Sequence, residues 1–487
     1  MPGFQIVEKL RKGFLGNLSI LLKNYGFYGL PWAETDLQAK VRLGNSKEIF
    51  AQLQLGLHEE IGKKLYSQRL ARITLRNLFR LPNPVYYSLL PHITFMGNGL
   101  EPLWINESGG ASIAWYNHQG QRILLIGLNV EEEIIRHRQG DPIRAEITPI
   151  VDRETWGYPG ERPLYLFQDQ LLDKFPTQPW ADNFGFFVAE TFARICSFPL
   201  IEPLPGGAKG AVILTGDDDQ APLEKYWEQL NILGDFPITY FLHFKTKHTK
   251  ETLANLPQSV QFGLHPDALD RPDQYESLCC EQLALINRLT GRHVRTVRNH
   301  GYLNQGYLGH LSVWEKNGLR LDTNYPGLDG TALNGSFLPM PVRRLDGSWS
   351  DHYSLLTTFG DGMLFALQLN PKQAIKRIRK IVRQIEMSRP GVVVLNFHPD
   401  NIGVTYELHR FVLGLSRRPG WIALGLESYL EWLEMLESLE LEPLGRKRFK
   451  LRCPARVKGM VIRYPIEDGW RLQKLETWSD QIEILLA

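Results

Sequence analysis

The sequence predicts an α/β protein whose larger part is a parallel β-sheet, open or closed into a barrel. Between residues 209 and about 437, short apolar segments typical of strands alternate with segments of helical periodicity, and repeated strand–helix units of this kind form parallel sheets. Residues 211–214 are all apolar and indicate a buried strand. Three consecutive aspartates follow Gly216. Adjacent like charges gain nothing from folding unless a cation or a proton neutralises them.

Length and composition limit the classes of function. The chain has 487 residues, which suggests two or three domains. Its net charge of +2 indicates neither nucleic acid nor an anionic membrane surface as a partner. No apolar run is long enough to span a bilayer, and residues 1–29 lack the pattern of a secretion signal. We therefore expect a cytoplasmic protein without a membrane span, and the oligomeric state stays open.

Residues 1–148 are expected to form an N-terminal α/β domain. The predicted elements are helices at 46–55 and 59–78, a strand and turn at 92–99, strands at 111–116 and 121–130, and a helix from residue 131.

One segment of this region, YNHQGQRILLIGLNVEEEIIRHRQGDP at 116–142, resembles the glutamine-amidotransferase-like α/β domains that precede some deacetylase domains. A working glutaminase of that type needs a cysteine nucleophile at a strand-to-helix turn, and no cysteine precedes Cys196. The resemblance therefore implies a non-catalytic domain that serves binding or scaffolding.

The rest of the chain divides into three parts. Residues 149–205 are rich in proline and are expected to be a connector with one helix at 183–196. Residues 206–437 are expected to hold the parallel sheet, and residues 438–487 a small antiparallel β extension packed on it. The predicted strands are 211–215, 237–244, 260–264, 294–297, 319–322, 363–367, 392–397 and 421–424, and the predicted helices are 223–233, 275–289 and 371–387.

Polar residues follow the predicted strands at equivalent positions. The carboxyl ends of parallel strands share one face of the sheet, where active sites are assembled, so we expect these side chains to converge. They are Asp217, Asp218 and Asp219 after the first strand, His265 after the third, Arg298, His300 and Tyr302 after the fourth, Asp322 at the end of the fifth, and His398 after the seventh.

The residue types in this set suit a metal-dependent hydrolase. Two histidines and a carboxylate can bind zinc, and also manganese, iron or cobalt. Such an ion polarises a carbonyl and lowers the pKa of water, while a second aspartate could deprotonate that water and a histidine could protonate the leaving group. Together these groups could hydrolyse an amide or an ester.

Residues 209 to about 437 resemble the polysaccharide deacetylases, the family 4 carbohydrate esterases. The first motif of that family is Thr-Phe-Asp-Asp-Gly, and Thr-Gly-Asp-Asp-Asp at 215–219 matches it at the threonine and both aspartates. The resemblance implies that Asp217 is the catalytic base and Asp218 a metal ligand, with Asp219 a possible ligand one residue further on. His398, in VVLNFHP, matches the strand-terminal general acid of the family.

The middle motifs of the family are altered. The second motif supplies two metal histidines four residues apart; His265, in FGLHP, fits the first, but Leu269 stands at the second position. His300, in VRNHGY, is the candidate replacement. Arg298 and Tyr302 match the Arg and Tyr of the Arg-x-Pro-Tyr motif, with the backbone N–H of Tyr302 as a possible oxyanion donor. Asp322 is a weaker match to the acidic fourth motif and a further possible ligand.

The resemblance implies an incomplete or distorted (β/α) barrel that removes an acetyl or other acyl group from a sugar or a polysaccharide precursor. The cofactor would be a divalent metal, with zinc first and manganese, cobalt or iron as alternatives. Two other functions stay open: a deacetylase-fold protein that binds carbohydrate without turnover, and a metal hydrolase for another C–N amide bond.

Overall fold

The computed structural model describes residues 21–28, 41–43, 61–66, 71–75, 85–90, 92–118, 121–140, 179–302, 308–324, 335–387, 389–445 and 447–486. The helix predicted at 46–55 lies outside these residues. Among the described helices, none has both the length and the apolar character needed to cross a bilayer.

The N-terminal region forms an eight-stranded sheet. Every pairing in it is antiparallel except that of β1 with β8, so the described part of this region is mainly an antiparallel sheet. One helix, α1, follows the last strand. The elements are β1 Val41–Leu43, β2 Ile61–Tyr66, β3 Ala71–Leu75, β4 Val85–Ser88, β5 His92–Gly97, β6 Leu100–Asn106, β7 Ala111–His118, β8 Gln121–Ile126 and α1 Val130–Gln139.

The helix predicted at 59–78 is wrong, because β2 and β3 occupy that segment. The stretch Ala71–Leu75 alternates apolar and polar residues, and this period of two fits a strand hydrogen-bonded between β4 and β6. The strands predicted at 92–99 and 111–116 are confirmed. The strand predicted at 121–130 ends at Ile126, since Asn129 caps α1 by accepting a hydrogen bond from the Glu132 N–H.

Helix α2, Trp180–Cys196, lies in the segment predicted as a connector, and the short strand β9, Leu200–Ile201, follows it. All of its residues from Trp180 to Ala193 are buried, which is typical of a helix enclosed on every side. At Gly185 a Cβ atom would lie 2.1 Å from the ring of Tyr25, so glycine is required where that ring crosses the helix. The helix predicted at 183–196 is confirmed and begins three residues earlier.

A ten-stranded sheet makes up the larger part of the chain, with helices between most of its strands. Its strands are β10 Gly210–Asp217, β11 Ile238–His243, β12 Val260–His265, β13 Thr296–Val297, β14 Leu321–Asp322, β15 Met340–Arg343, β16 Trp349–Ser354, β17 Phe359–Gly360, β18 Gly391–Asn396 and β19 Trp421–Leu424. Its helices are α3 Leu223–Leu233, α4 Lys250–Ala254, α5 Tyr275–Thr290, α6 Leu311–Lys316, α7 Gly362–Ala366, α8 Pro371–Met387, α9 Ile402–Ser416 and α10 Leu426–Glu437.

The sheet curls into an incomplete barrel with the strand order β15-β16-β14-β13-β12-β11-β10-β18-β17. All pairs are parallel except β15 with β16. Strand β10 pairs with β18 along one edge and with β19 and then β11 along the other. No ladder joins β16 to β17 among the described residues; instead, the Leu355 N–H donates to the carbonyl of Asp322 and the Thr358 N–H to that of Val394.

Most predicted elements of this part are confirmed, including the helices at 223–233 and 371–387, but the strand predicted at 363–367 is wrong. Helix α7 occupies those residues, and the strand of this unit is β17, just before them. A short apolar run does not distinguish a strand from a buried helix by periodicity alone.

The C-terminal strands form two three-stranded antiparallel sheets, β20-β21-β24 and β23-β22-β9. Because β9 precedes the barrel in sequence, the second sheet joins the segment that enters the barrel to the C-terminal strands. One apolar cluster includes residues of the N-terminal sheet, α2, the barrel and these strands. The strands are β20 Glu440–Gly445, β21 Arg448–Val457, β22 Val461–Ile466, β23 Gly469–Lys474 and β24 Trp478–Leu485.

Candidate metal-binding active site

The candidate site lies at the carboxyl ends of the parallel barrel strands. Strand β10 ends at Asp217, β12 ends at His265, and His398 follows β18. A Cβ atom at Gly216 would lie 2.8 Å from the carbonyl oxygen of Phe397, so glycine permits the close approach of these two segments. The topology thereby brings together residues that are far apart in sequence.

Asp217 is a buried carboxylate with a partner on each oxygen. Nη1 of Arg298 donates to Oδ1 at 2.9 Å, and Nδ2 of Asn396 donates to Oδ2 at 2.8 Å. Burial alone would raise the pKa of Asp217, but the positive charge of Arg298, with that of His398, outweighs it and lowers the pKa below the usual value. Asp217 is therefore ionised at neutral pH.

Arg298 is fully buried and held at several points. Its Nη2 donates to the hydroxyl of Thr357 at 3.2 Å, its Nε donates to the carbonyl of Thr323 at 3.5 Å, and its guanidinium lies 4.4 Å from the ring centroid of Phe241. These contacts fix the guanidinium, which in turn fixes the carboxylate of Asp217.

Tyr302 lies beside this pair, with its hydroxyl 3.5 Å from Nδ2 of Asn396. Its backbone N–H donates to the carbonyl of Asn299 at 2.9 Å. The N–H would have to give up this bond before it could serve as the oxyanion donor that the sequence predicted.

Asp219, His265 and His300 bring one ligand atom each to a common point, with all three atoms within 4.8 Å of one another. Oδ1 of Asp219 lies 3.3 Å from Nε2 of His265 and 3.6 Å from Nε2 of His300. Nδ1 of His265 donates to the carbonyl of Arg298 at 2.6 Å, which leaves the lone pair on Nε2 facing Asp219.

This geometry fits a divalent ion. In a tetrahedral site with bonds of about 2.0–2.2 Å, neighbouring ligand atoms lie about 3.3–3.6 Å apart, which matches the two distances to Asp219. Oδ1 of Asp219 is buried, and no described residue gives it a hydrogen bond. A carboxylate oxygen and two imidazole nitrogens are a suitable donor set for zinc, manganese, iron or cobalt.

Asp218, the ligand expected from the sequence, faces another direction. Its Oδ1 accepts a hydrogen bond from the Tyr226 hydroxyl at 2.8 Å and lies 3.5 Å from Nε2 of His248. Burial raises the pKa of Asp218. The strand ends at Asp217 and the chain turns at Asp219, which has a φ of 38°, so Asp217 and Asp219 face the site and Asp218 does not.

Asp322 also lies apart from the ligand group. Its Oδ2 is 3.0 Å from Nε2 of the buried His352, and its Oδ1 accepts a hydrogen bond from the Asn324 N–H at 2.9 Å. The candidate ligand groups among the described residues do not include it.

His398 is held between carboxylates. Its Nδ1 lies 2.6 Å from Oδ1 of Asp361, and its Nε2 lies 3.3 Å from Oδ2 of Asp219 and 3.6 Å from Oδ2 of Asp217. Burial alone would lower the pKa of His398, but Asp361, with the two other carboxylates, outweighs it and raises the pKa well above the usual value. The imidazole is therefore protonated at neutral pH.

Sequence reasoning missed two residues that hold this site. Asp361 accepts the His398 backbone N–H at 2.8 Å, and Asn396 donates to Asp217. Asn396 is the last residue of β18, as Asp217 is of β10 and His265 is of β12. Asp361 directly follows β17, but the strand predicted at 363–367 placed it before a strand instead of after one.

Comparisons with known proteins give similarity only among solved structures. No protein-family model matches the chain, and no curated protein matches it. A presumed polysaccharide deacetylase from Mycobacterium smegmatis is 16% identical with a TM-score of 0.38, over 50% of this chain and 96% of that one. A probable polysaccharide deacetylase from Pseudomonas aeruginosa PAO1 is 12% identical with a TM-score of 0.39, over 50% and 96%.

A third similar structure, the Puue allantoinase, is 15% identical with a TM-score of 0.39, over 49% of this chain and 94% of that one. TM-scores below 0.5 do not establish a common fold, so the assignment of a function depends on the geometry of the site. The amidotransferase resemblance of the N-terminal region finds no support in these comparisons.

Proposed function

We propose that this protein is a metal-dependent hydrolase that removes an acyl group, acetyl in the first instance, from a sugar or a polysaccharide precursor. The observation that carries the proposal is the convergence of three kinds of group at the carboxyl ends of the barrel strands. These are the ligand set Asp219, His265 and His300, the carboxylate of Asp217 paired with Arg298, and the imidazole of His398 paired with Asp361.

The ligand role goes to Asp219 in place of Asp218. Asp219 has the distances of a metal ligand to both histidines, whereas Asp218 is engaged by Tyr226 on the other side of the chain. A divalent ion held there would supply Lewis acidity, which makes a carbonyl more electrophilic and a water molecule more acidic.

The residues of the chain would carry the protons. Asp217 accepts a proton from the attacking water, whose oxygen forms a bond to the acyl carbon. Arg298 and Asn396 keep the carboxylate ionised and oriented for this role. His398 then gives its Nε2 proton to the leaving nitrogen or oxygen as the C–N or C–O bond breaks, and Asp361 stabilises the imidazolium until that step. The products are a carboxylate and a free amine or hydroxyl.

The geometry supports hydrolysis of an amide or an ester. The choice of a sugar as the substrate is based on the motifs at 215–219 and around His398. Acetate release from a panel of N-acetylated and O-acetylated saccharides, with one equivalent of zinc, tests both. We expect release, and we expect Asp217→Asn and His398→Gln to slow it by about 10²–10⁴-fold, because each variant lacks a proton-transfer group. Asp270→Asn, at an exposed residue of the loop after β12, is the control and should keep the wild-type rate.

Two results would contradict the proposal. Binding of saccharides without acetate release would make the protein a carbohydrate-binding protein. Hydrolysis of other amides without any release from saccharides would keep the site but replace the substrate.

A further inference from the structure

A second group of polar side chains lies directly behind His300. Nδ1 of His300 is 3.3 Å from Oδ2 of Asp267, and the same oxygen is 3.1 Å from Nε2 of His243. These three residues also have the spacing of metal ligands, and they share His300 with the ligand set described above. The group is therefore either a second metal site or a hydrogen-bonded support for the first.

The tautomer of His243 decides between these alternatives. The backbone N–H of Lys245 donates to Nδ1 of His243 at 3.1 Å. A backbone N–H can only donate, so Nδ1 carries a lone pair and the ring proton is on Nε2. Nε2 then donates to Asp267 and has no lone pair for a metal. The contacts of His243 thus indicate a hydrogen bond to Asp267 and no second metal ion.

Asp267 is itself firmly held. Its Oδ1 accepts a hydrogen bond from the Leu269 N–H at 3.0 Å. The side-chain amide of Gln282 binds its backbone on both sides, accepting from the N–H at 2.8 Å and donating to the carbonyl at 2.9 Å. The backbone N–H of His300 donates to the carbonyl of Pro266 at 3.0 Å. The carboxylate of Asp267 therefore has a fixed position relative to His300.

From these contacts, and resting on the metal site of the proposed function, we propose that Asp267 is a positioning residue for His300. A carboxylate at Nδ1 keeps the proton on that nitrogen, so the lone pair of His300 is on Nε2, the atom 3.6 Å from Asp219. His243 orients the carboxylate from its other side. His300 thereby replaces the ligand that Leu269 cannot supply, and Asp267, two residues after His265, makes the replacement effective.

Zinc affinity and stoichiometry of the full chain test this role. We expect the wild type to bind one zinc per chain. Chelator competition should show that Asp267→Asn and Asp267→Ala bind zinc about 10–100-fold more weakly than the wild type. Loss of a carboxylate behind a metal histidine has an effect of that size. Asp270→Asn, three residues away and exposed, is the matched control and should bind as the wild type does. Thermal unfolding of the zinc-free proteins checks that the variants fold.

A double-variant cycle separates positioning from a general loss of structure. In the His300→Ala background, Asp267→Asn should weaken zinc binding no further, because the ring that it orients is gone. The cobalt(II) absorption spectrum at saturating cobalt provides a second readout, and it should differ between Asp267→Asn and the wild type.

Three results would overturn the proposal. The first is that Asp267→Asn has the zinc affinity and the cobalt spectrum of the wild type. The second is that Asp267→Asn weakens zinc binding equally in the wild-type and His300→Ala backgrounds. The third is that the wild type binds two zinc ions per chain and His243→Phe loses one of them. Each of these leaves one metal bound at the proposed ligand set, so each is distinct from failure of the proposed function, which would appear as absence of acyl hydrolysis by a metal-loaded wild type.

Discussion

At the scale of single residues, each oxygen of Asp217 accepts one hydrogen bond, and one of the two donors is a cation with no exposure to solvent. A buried arginine held by Thr357 and Thr323 has little freedom to move. Removing it would leave a buried carboxylate without its main counter-charge. Arg298 thus supports both the stability of the barrel and the protonation state of the proposed base.

We expect Arg298→Met to lower the free energy of unfolding by about 3–5 kcal/mol, the range for truncation of a buried ion pair. Acyl hydrolysis should fall by at least about 10²-fold while zinc content is unchanged, because Asp217 is outside the proposed ligand set. Urea unfolding, acetate release and metal analysis measure the three quantities. Arg292→Met, at an exposed position, is the control. Full activity in Arg298→Met would contradict this role.

At the scale of elements, α2 joins the barrel to the C-terminal strands through Glu190. This buried carboxylate accepts hydrogen bonds from Arg389, which precedes β18, and from Nη1 of Arg463 on β22 at 2.6 Å. Burial alone would raise the pKa of Glu190, but the two guanidinium groups outweigh it and lower the pKa. Glu190 is therefore ionised at neutral pH and binds two cations from different parts of the fold.

We expect Glu190→Gln to lower the free energy of unfolding by about 3–5 kcal/mol, because Arg389 loses its buried counter-charge and Arg463 keeps only its ion pair with Glu202. Glu483→Gln removes an exposed ion pair with Arg448 and should cost no more than about 1 kcal/mol. Urea denaturation at pH 7 measures both. A change below about 1 kcal/mol in Glu190→Gln would show that the arginines find other partners.

At the scale of the whole molecule, Asp182 links α2 to the segment that enters β15. It accepts hydrogen bonds from the Ser336 hydroxyl and the Phe337 N–H, each at 2.6 Å, and Nη1 of Arg138 on α1 lies 3.9 Å away. Burial raises the pKa of Asp182 to about 6, from an ordinary value of 3.8. The protonated form is thus favoured more in the folded chain than in the unfolded one.

The contribution of Asp182 to stability is therefore complete below the unfolded pKa near 3.8 and is lost as the pH rises through about 6. Relative to Asp182→Asn, which does not titrate, the wild type should lose about 2.5 kcal/mol of unfolding free energy between about pH 4 and pH 7.5. Urea unfolding of both proteins across that range measures the difference. A difference that does not change with pH would contradict the shifted pKa.

Elements whose pattern is local in the sequence were predictable, and elements that depend on distant contacts were not. Parallel strands buried on both faces are short apolar runs, so β10, β12 and β18 and the polar residues after them could be located from the sequence. Strands β5 and β7 of the N-terminal sheet could also be located, but β2 and β3 could not, because their pairing with β5 and β6 depends on contacts far apart in the chain.

At the candidate site, too, the sequence alone was not sufficient to predict every residue. Three adjacent aspartates do not reveal which carboxylate faces the histidines, because that depends on the backbone of the turn. Asp219 has a φ of 38° and Gln220 a φ of 65°. These left-handed conformations are uncommon for residues other than glycine, so the sequence did not predict them. The histidines were predictable by their position after strands, whereas the structure was needed to find which carboxylate lies beside them.

The most direct test measures zinc content by mass spectrometry, after zinc loading and removal of excess metal. Comparing the wild type with Asp218→Asn and Asp219→Asn shows which of the two carboxylates is the ligand. The proposed site predicts about one zinc per chain in the wild type and in Asp218→Asn, and loss of zinc from a folded Asp219→Asn. Zinc retained by Asp219→Asn and lost from Asp218→Asn would contradict the ligand set, and a wild type that takes up no zinc, cobalt or manganese would contradict the metal site itself.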